Sequence, residues 1–217
     1  MVYTLPPPMR YAILVGGKEK KNPELNLGVA SLIEELRKEF LERMFNVVSM
    51  NSDVTRMILE EKLKEIFSLC IESPRHPKII FYYAGHQNNE GFELEDGIYS
   101  REELIGLLQR IKGEKLGIFD CCFAGLLKRH ATRDLAILAA TAEDRVAYAS
   151  QHPDEENRRT IIGREILKFM REHPENFALG DLYTELELQL KGITNLVQLP
   201  EMAGRNIFMF PGKGSFI

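Results

Sequence analysis

The sequence is poor in cysteine: it has three, and two of them, Cys121 and Cys122, are adjacent. Adjacent cysteines make a poor disulfide framework, and no Cys-x-x-Cys pair or Cys/His cluster has the spacing of a zinc site. We therefore expect reduced thiols and no metal centre built on these residues.

Long apolar runs and blocks of like charge are also missing. No stretch approaches the ~18 uninterrupted apolar residues of a membrane-spanning helix, and the net charge is only -4. The first eight residues end in three prolines and lack the basic-then-apolar pattern of a secretory signal. These absences favour a cytoplasmic protein that binds neither membranes nor nucleic acid.

What the sequence does contain is an alternation of short apolar runs with segments of helical spacing. Its 217 residues, 44% of them hydrophobic, suffice for one domain with a substantial core. We predict a single domain over 1–217, with an extended lead-in at 1–10, that forms an α/β three-layer sandwich of about six mostly parallel strands with helices on both faces. The predicted strands are 11–15, 45–49, 79–83, 116–119, 135–140 and 207–210; the predicted helices are 27–40, 54–71, 100–111, 160–170 and 181–190, with a hairpin at 92–99.

Two of the predicted strands end beside a reactive side chain. The strand at 79–83 leads to His86, and the strand at 116–119 leads to Cys121 and Cys122. Chemistry in a parallel α/β sheet collects outside the carboxyl ends of neighbouring strands, so a histidine and a cysteine can meet there. A thiol of pKa about 8.5 is mostly protonated at neutral pH and needs a base to take its proton. The pattern predicts a cysteine hydrolase that acts through a thioester, with His86 as the base.

The two adjacent cysteines are expected to differ in role. Cys121 directly continues the strand, where its side chain packs as a small hydrophobic group, whereas Cys122 begins the turn into the next segment. We therefore assign the nucleophile to Cys122. The isolated Cys70 lies on the apolar face of a predicted helix and is expected to be an inert buried thiol.

The segments around both residues resemble motifs of a known peptidase family. Tyr83-Ala84-Gly85-His86 resembles the Tyr-Ser-Gly-His-Gly segment of metacaspases and related caspase-fold cysteine peptidases. Asp120-Cys121-Cys122-Phe123-Ala124-Gly125 resembles their Asp-Ser/Cys-Cys-His-Ser-Gly segment, and the histidine precedes the cysteine in both cases. Weaker similarity extends over nearly the whole chain, from the opening strand to Phe208-Met209-Phe210.

The resemblance implies a caspase-like sandwich with His86 as base and Cys122 as nucleophile. It also implies an oxyanion hole formed by the backbone amides of Cys122 and of Gln87, the residue after the histidine. In metacaspases the aspartate two residues before the nucleophile lies in the pocket for the residue that precedes the scissile bond. Asp120 holds that place, so the resemblance implies peptide or protein substrates cleaved after arginine or lysine. The alternative is that Asp120 only caps the following helix.

The sequence departs from the family motifs at three places. Gln87 replaces the usual glycine, Ala84 replaces the usual serine, and Phe123-Ala124 replaces the usual His-Ser. A backbone amide survives the change at Gln87, but we expect its larger side chain to narrow or gate the mouth of the cleft. The chemistry itself requires no cofactor, and the resemblance implies calcium as an activating ion. Glu93, Glu95 and Asp96 could offer oxygen ligands, although the solvated charges of a hairpin explain them better.

Basic residues beside the predicted site are candidates for self-cleavage by an arginine- or lysine-directed enzyme. Lys128 and Arg129 follow the nucleophile, and Arg158 and Arg159 end a polar loop at 151–159. We expect exposed chain at both places.

Two other classes of function remain open from the sequence. The departures from the family motifs allow a catalytically impaired caspase-like scaffold that acts as an interaction module. A thiol redox sensor built on the adjacent cysteines is a weaker alternative, because neighbouring residues form only a strained ring. The sequence does not determine the oligomeric state.

Overall fold

The computed structural model describes residues 9–18, 24–51, 53–73, 75–147, 159–194, 198–204 and 208–214. Within them, strands and helices alternate along the chain. In chain order the elements are β1 (Arg10–Gly16), α1 (Glu24–Glu42), β2 (Asn46–Met50), α2 (Arg56–Ile71), β3 (Lys78–Ala84), β4 (Gly91–Leu94), β5 (Gly97–Ser100), α3 (Arg101–Arg110), β6 (Glu114–Asp120), a 3-10 helix (Ala124–His130), β7 (Leu135–Ala139), α4 (Ile161–Glu172), β8 (Phe177–Ala178), α5 (Leu179–Thr194), β9 (Glu201–Ala203) and β10 (Met209–Phe210).

A six-stranded sheet forms the centre of the fold, in the order β2-β1-β3-β6-β7-β9. The first five strands of this order pair in parallel, and β9 pairs with β7 in the antiparallel sense. Strands β3 and β6 are therefore direct neighbours, and their carboxyl ends lie at the same edge of the sheet. The hairpin of β4 and β5 forms a separate two-stranded sheet.

Helices cover both faces of the sheet, which confirms the predicted three-layer sandwich. Each of the seven residues of β1 is buried, as expected for a strand with a covered face on either side. Alternate residues of the strands enter two separate cores because successive side chains point to opposite faces. One core contains buried residues of α1, α4 and α5, and the other contains those of α2, α3 and the hairpin.

Local capping explains where two helices begin. The Thr55 hydroxyl accepts a hydrogen bond from the amide of Ile58 at the start of α2, and the Ser100 hydroxyl accepts one from the amide of Glu103 at the start of α3. These bonds satisfy amides that the first turn of a helix leaves without partners.

The final strand predicted at 207–210 is present at Met209–Phe210, but it lies outside the six-stranded sheet, which corrects its expected place. Met209 and Phe210 pair instead with β8 in a separate antiparallel ladder, and the sixth strand of the main sheet is β9. The apolar pattern at this place reflects burial of Phe208 and Phe210 in the core beside α4 and α5, not a place in the sheet. Strand β9 has three partly buried residues, and that pattern gives little periodic signal.

Parts of the predicted ends of the chain fall outside the described residues. This applies to 1–8 of the lead-in and to Ile207, while Arg10 already belongs to β1. Residues 151–158 of the polar loop also lie outside them.

Candidate functional site

The ends of β3 and β6 are aligned residue by residue. Ala84 pairs with Asp120 at the last position of the two strands, and the amide of Gly85 extends the ladder to the carbonyl oxygen of Asp120 at 3.4 Å. His86 and Cys122 each lie two residues beyond this last pair. The structure therefore places them at equivalent positions just beyond the ends of two neighbouring strands, at the carboxyl edge of the sheet.

Close backbone approach explains the glycine before His86. A Cβ atom on Gly85 would lie 2.9 Å from the Cα of Gly17 and 3.0 Å from the Tyr83 hydroxyl oxygen. The amide of Gly17 in turn donates to the carbonyl oxygen of Ala84 at 2.8 Å. The loop after β1 is thereby attached to the end of β3, and only glycine fits at this contact.

Tyr83 and Glu93 hold the backbone of His86 in place, a role that the sequence did not indicate for either residue. The Tyr83 hydroxyl donates to the carbonyl oxygen of His86 at 2.7 Å, and the amide of Glu93 donates to the same oxygen at 2.9 Å. The Nε2 atom of His86 lies 4.0 Å from a carboxylate oxygen of Glu93, and the imidazole is about one quarter exposed, at 25%. The His86 ring is thus accessible and faces an acidic side chain.

The two cysteines differ in exposure as the strand alternation predicts. Cys121 is buried in the core beside α2 and α3, and burial raises the pKa of its thiol well above the ordinary value. Cys122 is partly exposed, and the amide of Ala147 donates to its sulfur at 3.4 Å. An amide that faces a sulfur atom stabilises negative charge on it. Of the two adjacent cysteines, Cys122 is the more exposed.

The chain turns sharply directly after Cys122. Phe123 adopts the left-handed conformation with φ 55° and ψ 21°, which is uncommon for a residue other than glycine. Its amide donates to the carbonyl oxygen of Arg145 at 2.8 Å, and the amide of Ala124 donates to the Thr141 hydroxyl at 3.2 Å. The helix that follows is of the 3-10 type, and its amino-terminal turn is fixed by these contacts to the segment after β7.

Gln87 corrects one expectation about the cleft. Its side chain is completely buried beneath the site and does not narrow or gate the mouth. The side-chain NH2 group of Gln87 donates to the carbonyl oxygen of Phe123 at 3.3 Å, and the side-chain oxygen accepts from the thiol of Cys121 at 3.2 Å. The main chain of Gln87 faces Phe92 at an antiparallel bridge, and the ladder bonds are made by the residues on either side of Gln87. In such a pair the backbone N–H group of the residue at the bridge, here Gln87, points away from the partner strand.

Asp120 lies inside the protein. Its side chain points to the core of α1, α4 and α5, where it accepts hydrogen bonds from the hydroxyls of Tyr82, at 2.8 Å, and Thr160. Burial raises the pKa of Asp120 to about 6, against the hydrogen bonds that lower it. The alternative that Asp120 caps the following helix gains no support, because no side-chain bond caps the 3-10 helix.

The basic residues considered for self-cleavage have different environments. The Lys128 ammonium lies 2.8 Å from a carboxylate oxygen of Glu201, and the more exposed Arg129 lies 3.3 Å from one of Glu102. The expectation of exposed chain is wrong at Arg159, because its side chain is only 16% exposed and pairs with Glu35. Arg158 lies outside the described residues.

The carboxylates considered as calcium ligands are engaged elsewhere. Glu95 pairs with Lys18 at 2.7 Å, and both oxygens of Asp96 accept from the amide of Arg56 at the start of α2. Glu93 faces His86. Among the residues that the structure describes, no group of three or more His, Cys, Asp or Glu side chains is placed to hold a metal ion. These residues therefore do not fit a calcium site.

Sequence patterns gave little indication of the supporting residues. The sequence indicates Tyr82 only as part of a buried strand, and Thr160 reaches Asp120 across 40 positions of the chain. Within the described parts of the chain, no helix has both the length and the apolar character needed to span a membrane.

One of three comparisons with known proteins, that with solved structures, finds a likeness, and it concerns the fold. No protein-family model matches the chain, and no curated protein sequence matches it. Among solved structures, the chain is similar to caspase-1 from Spodoptera frugiperda, with a TM-score of 0.71 over 98% of this chain and 94% of that chain. The two sequences are 12% identical, so the likeness concerns the fold alone. The protein has a caspase-like α/β fold.

Proposed function

We propose that this protein is a cysteine endopeptidase with His86 and Cys122 as its catalytic dyad. The observation that carries the proposal is their position two residues beyond the last paired residues of β3 and β6, on a caspase-like fold. Partial exposure of both side chains, and the burial of Cys121, support the assignment.

The reaction follows from the groups at this edge. His86 takes the thiol proton of Cys122, and the sulfur attacks the carbonyl carbon of the scissile peptide bond. The backbone amides of Gln87 and Cys122 bind the oxyanion that forms. The carbon–nitrogen bond then breaks, His86 gives its proton to the leaving amine, and a thioester remains on Cys122. Water activated by His86 hydrolyses the thioester and restores the thiol.

For the substrate, we propose cleavage after arginine or lysine, as in metacaspases, instead of after aspartate. The support is the carboxylate of Asp120 two residues before the nucleophile, which complements a cation. Because this carboxylate is buried and accepts from Thr160, a substrate guanidinium or ammonium group would have to displace the Thr160 hydroxyl to reach it. Ionised Asp120 would then gain a positive charge beside it, and no cationic side chain among the described residues acts on its pKa.

Covalent labelling tests the dyad and the substrate class together. A peptide that carries an arginyl chloromethyl ketone is incubated with wild type and with Cys122→Ala, and the labelled residue is identified by tandem mass spectrometry. We expect label on Cys122 of the wild type and none on the variant, with much slower labelling by the aspartyl analogue. A wild type that no peptidyl electrophile labels would favour the scaffold alternative.

A redox sensor is the weaker alternative on the same observations. The thiol of Cys121 is buried and its pKa is raised, whereas thiol exchange requires an accessible thiolate. Thiol titration after mild oxidation distinguishes this function, because a redox pair would lose two thiols together.

A further inference from the structure

A fully buried amide side chain joins the two loops of the proposed dyad. Gln87 comes directly after His86, and its side chain bonds to Cys121 and to Phe123. These partners are the residues on either side of Cys122. One side chain therefore connects the histidine loop to both neighbours of the nucleophile.

Only one orientation of the Gln87 amide satisfies both contacts. The carbonyl oxygen of Phe123 needs a donor, which is the NH2 group, and the thiol of Cys121 needs an acceptor, which is the amide oxygen. A flipped amide would set two acceptors against each other at Phe123. The contact with Cys121 is buried and the contact with Phe123 is partly buried. Because the Gln87 side chain is itself completely buried, the loss of either partner would leave one of its polar atoms unsatisfied.

The place where Gln87 acts is a strained turn. Phe123 has a left-handed backbone, and such a conformation persists only where its surroundings fix it. Arg145 binds the amide of Phe123 from one side, and Gln87 binds its carbonyl group from the other. This turn sets the direction in which Cys122 leaves β6.

We propose that Gln87 is a positioning residue that fixes the turn of Cys122 against the loop of His86. The inference rests on the proposed peptidase function and adds a residue to its machinery. The Gln87 side chain touches no reacting atom. Its contacts immobilise Gln87 itself, whose backbone amide is proposed to bind the oxyanion. In the metacaspase motif that the sequence resembles, glycine at this position has no side chain to make this connection.

The test must separate positioning from loss of stability, because any change at a buried glutamine weakens the fold. Gln198 supplies the matched control: it is also completely buried, and its side-chain amide contacts the carbonyl oxygen of Ala140 at 3.5 Å. Gln87→Leu and Gln198→Leu each replace a buried amide side chain with an apolar side chain of similar volume. Unfolding by urea gives the stability of each variant, and kinetics are measured only where the variant is folded.

Kinetics with an arginyl peptide give the first readout. We expect Gln87→Leu to lower kcat by about tenfold to a hundredfold, as expected for a slight misplacement of reacting groups, with KM changed by less than about twofold. Gln198→Leu should retain the wild-type kcat. The double variant Gln87→Leu/Cys121→Ala should raise the activation free energy derived from kcat by less than the sum of the two single changes, because both changes remove the same contact. Equal kcat losses in Gln87→Leu and Gln198→Leu would overturn the inference.

Alkylation of Cys122 by iodoacetamide at pH 7 gives a second readout that needs no peptide substrate. His86→Ala should slow this reaction, because the imidazole no longer takes the thiol proton, and Gln87→Leu should slow it in the same direction. If the wild type cleaves no peptide while both variants slow alkylation, the peptidase proposal fails and the role of Gln87 stands. If Gln87→Leu is alkylated at the wild-type rate while His86→Ala is slow, Gln87 does not position the pair.

Discussion

The hydroxyl of Tyr82 donates a hydrogen bond of 2.8 Å to the carboxylate of Asp120, and both side chains are completely buried. The contact joins the two central strands, β3 and β6, on the face covered by α4. It holds the carboxylate proposed for substrate recognition only two residues from the proposed nucleophile. The consequences concern both the stability of the protein and its choice of substrate.

The pH dependence of stability should report the burial of Asp120. Because burial raises its pKa from 3.8 to about 6, the folded state holds this proton more tightly than the unfolded chain does. The folded state therefore binds more protons between about pH 4 and 6, and this contribution to stability is lost as the pH rises through that window. We expect a loss of about 2 kcal/mol from this group, which Asp120→Asn should abolish.

Urea unfolding at pH 4 and pH 7 measures this difference. Asp144→Asn is the matched control, since the Asp144 side chain is 79% exposed and should leave the pH dependence of the wild type unchanged. A parallel pH profile in wild type and Asp120→Asn would contradict the expected shift.

Asp120→Asn should also reduce cleavage after arginine. A buried carboxylate paired with a cation contributes about 1.5 to 3 kcal/mol, so kcat/KM for an arginyl peptide should fall by about tenfold to a hundredfold. The matched substrate is the same peptide with citrulline, which has the shape of arginine without the charge, and its slower cleavage should barely change. An equal fall in kcat/KM for both peptides would show that Asp120 supports the site without recognising the positive charge of the substrate.

His86→Ala should abolish most of the activity and leave the fold intact. A general base contributes about a hundredfold to ten-thousandfold in rate, whereas a partly exposed loop imidazole contributes little to packing. Peptide hydrolysis and thermal unfolding are measured on the same preparation. His76→Ala, an exposed histidine, is the control and should change neither quantity. Loss of folding in His86→Ala, but not in Cys122→Ala, would make His86 a structural residue.

The two adjacent cysteines should respond differently to alanine. Cys122→Ala should have no detectable peptidase activity, because the remaining thiol of Cys121 is buried. Cys121→Ala should keep measurable activity, reduced by at most about tenfold through the lost contact with Gln87. Full activity in Cys122→Ala would refute the assignment of the nucleophile.

Slow self-cleavage should occur after basic residues, and only in the active protein. Arg129 is the best-exposed described candidate, with 60% of its side chain accessible, although the 3-10 helix must open before this bond can enter the site. Wild type and Cys122→Ala are incubated side by side, and new amino termini are sequenced. We expect fragments that start at His130 or after Arg158 in the wild type. Identical nicking in both proteins, or cuts after acidic residues, would contradict an arginine- or lysine-directed enzyme.

Local patterns were sufficient for much of the fold. Continuous apolar runs such as the one in β1 are typical of strands covered on both faces, and helical spacing located the five α-helices, with bounds that differ by up to four residues. The pattern was misleading at Met209 and Phe210, because alternating apolar residues indicate burial without specifying the partner strand. The short β9 has no apolar run of its own, so its place in the sheet depends on β7.

The sequence by itself determined that a histidine and a partly exposed cysteine follow two buried strands, because strand ends, small residues and side-chain alternation are local properties. The tertiary structure decided that these strands are neighbours in exact register, that Gln87 turns inward between Cys121 and Phe123, and that Thr160 covers Asp120. Each of these contacts joins residues at least 34 positions apart. Such contacts form only when the whole sheet and its covering helices assemble, and no local periodicity encodes them.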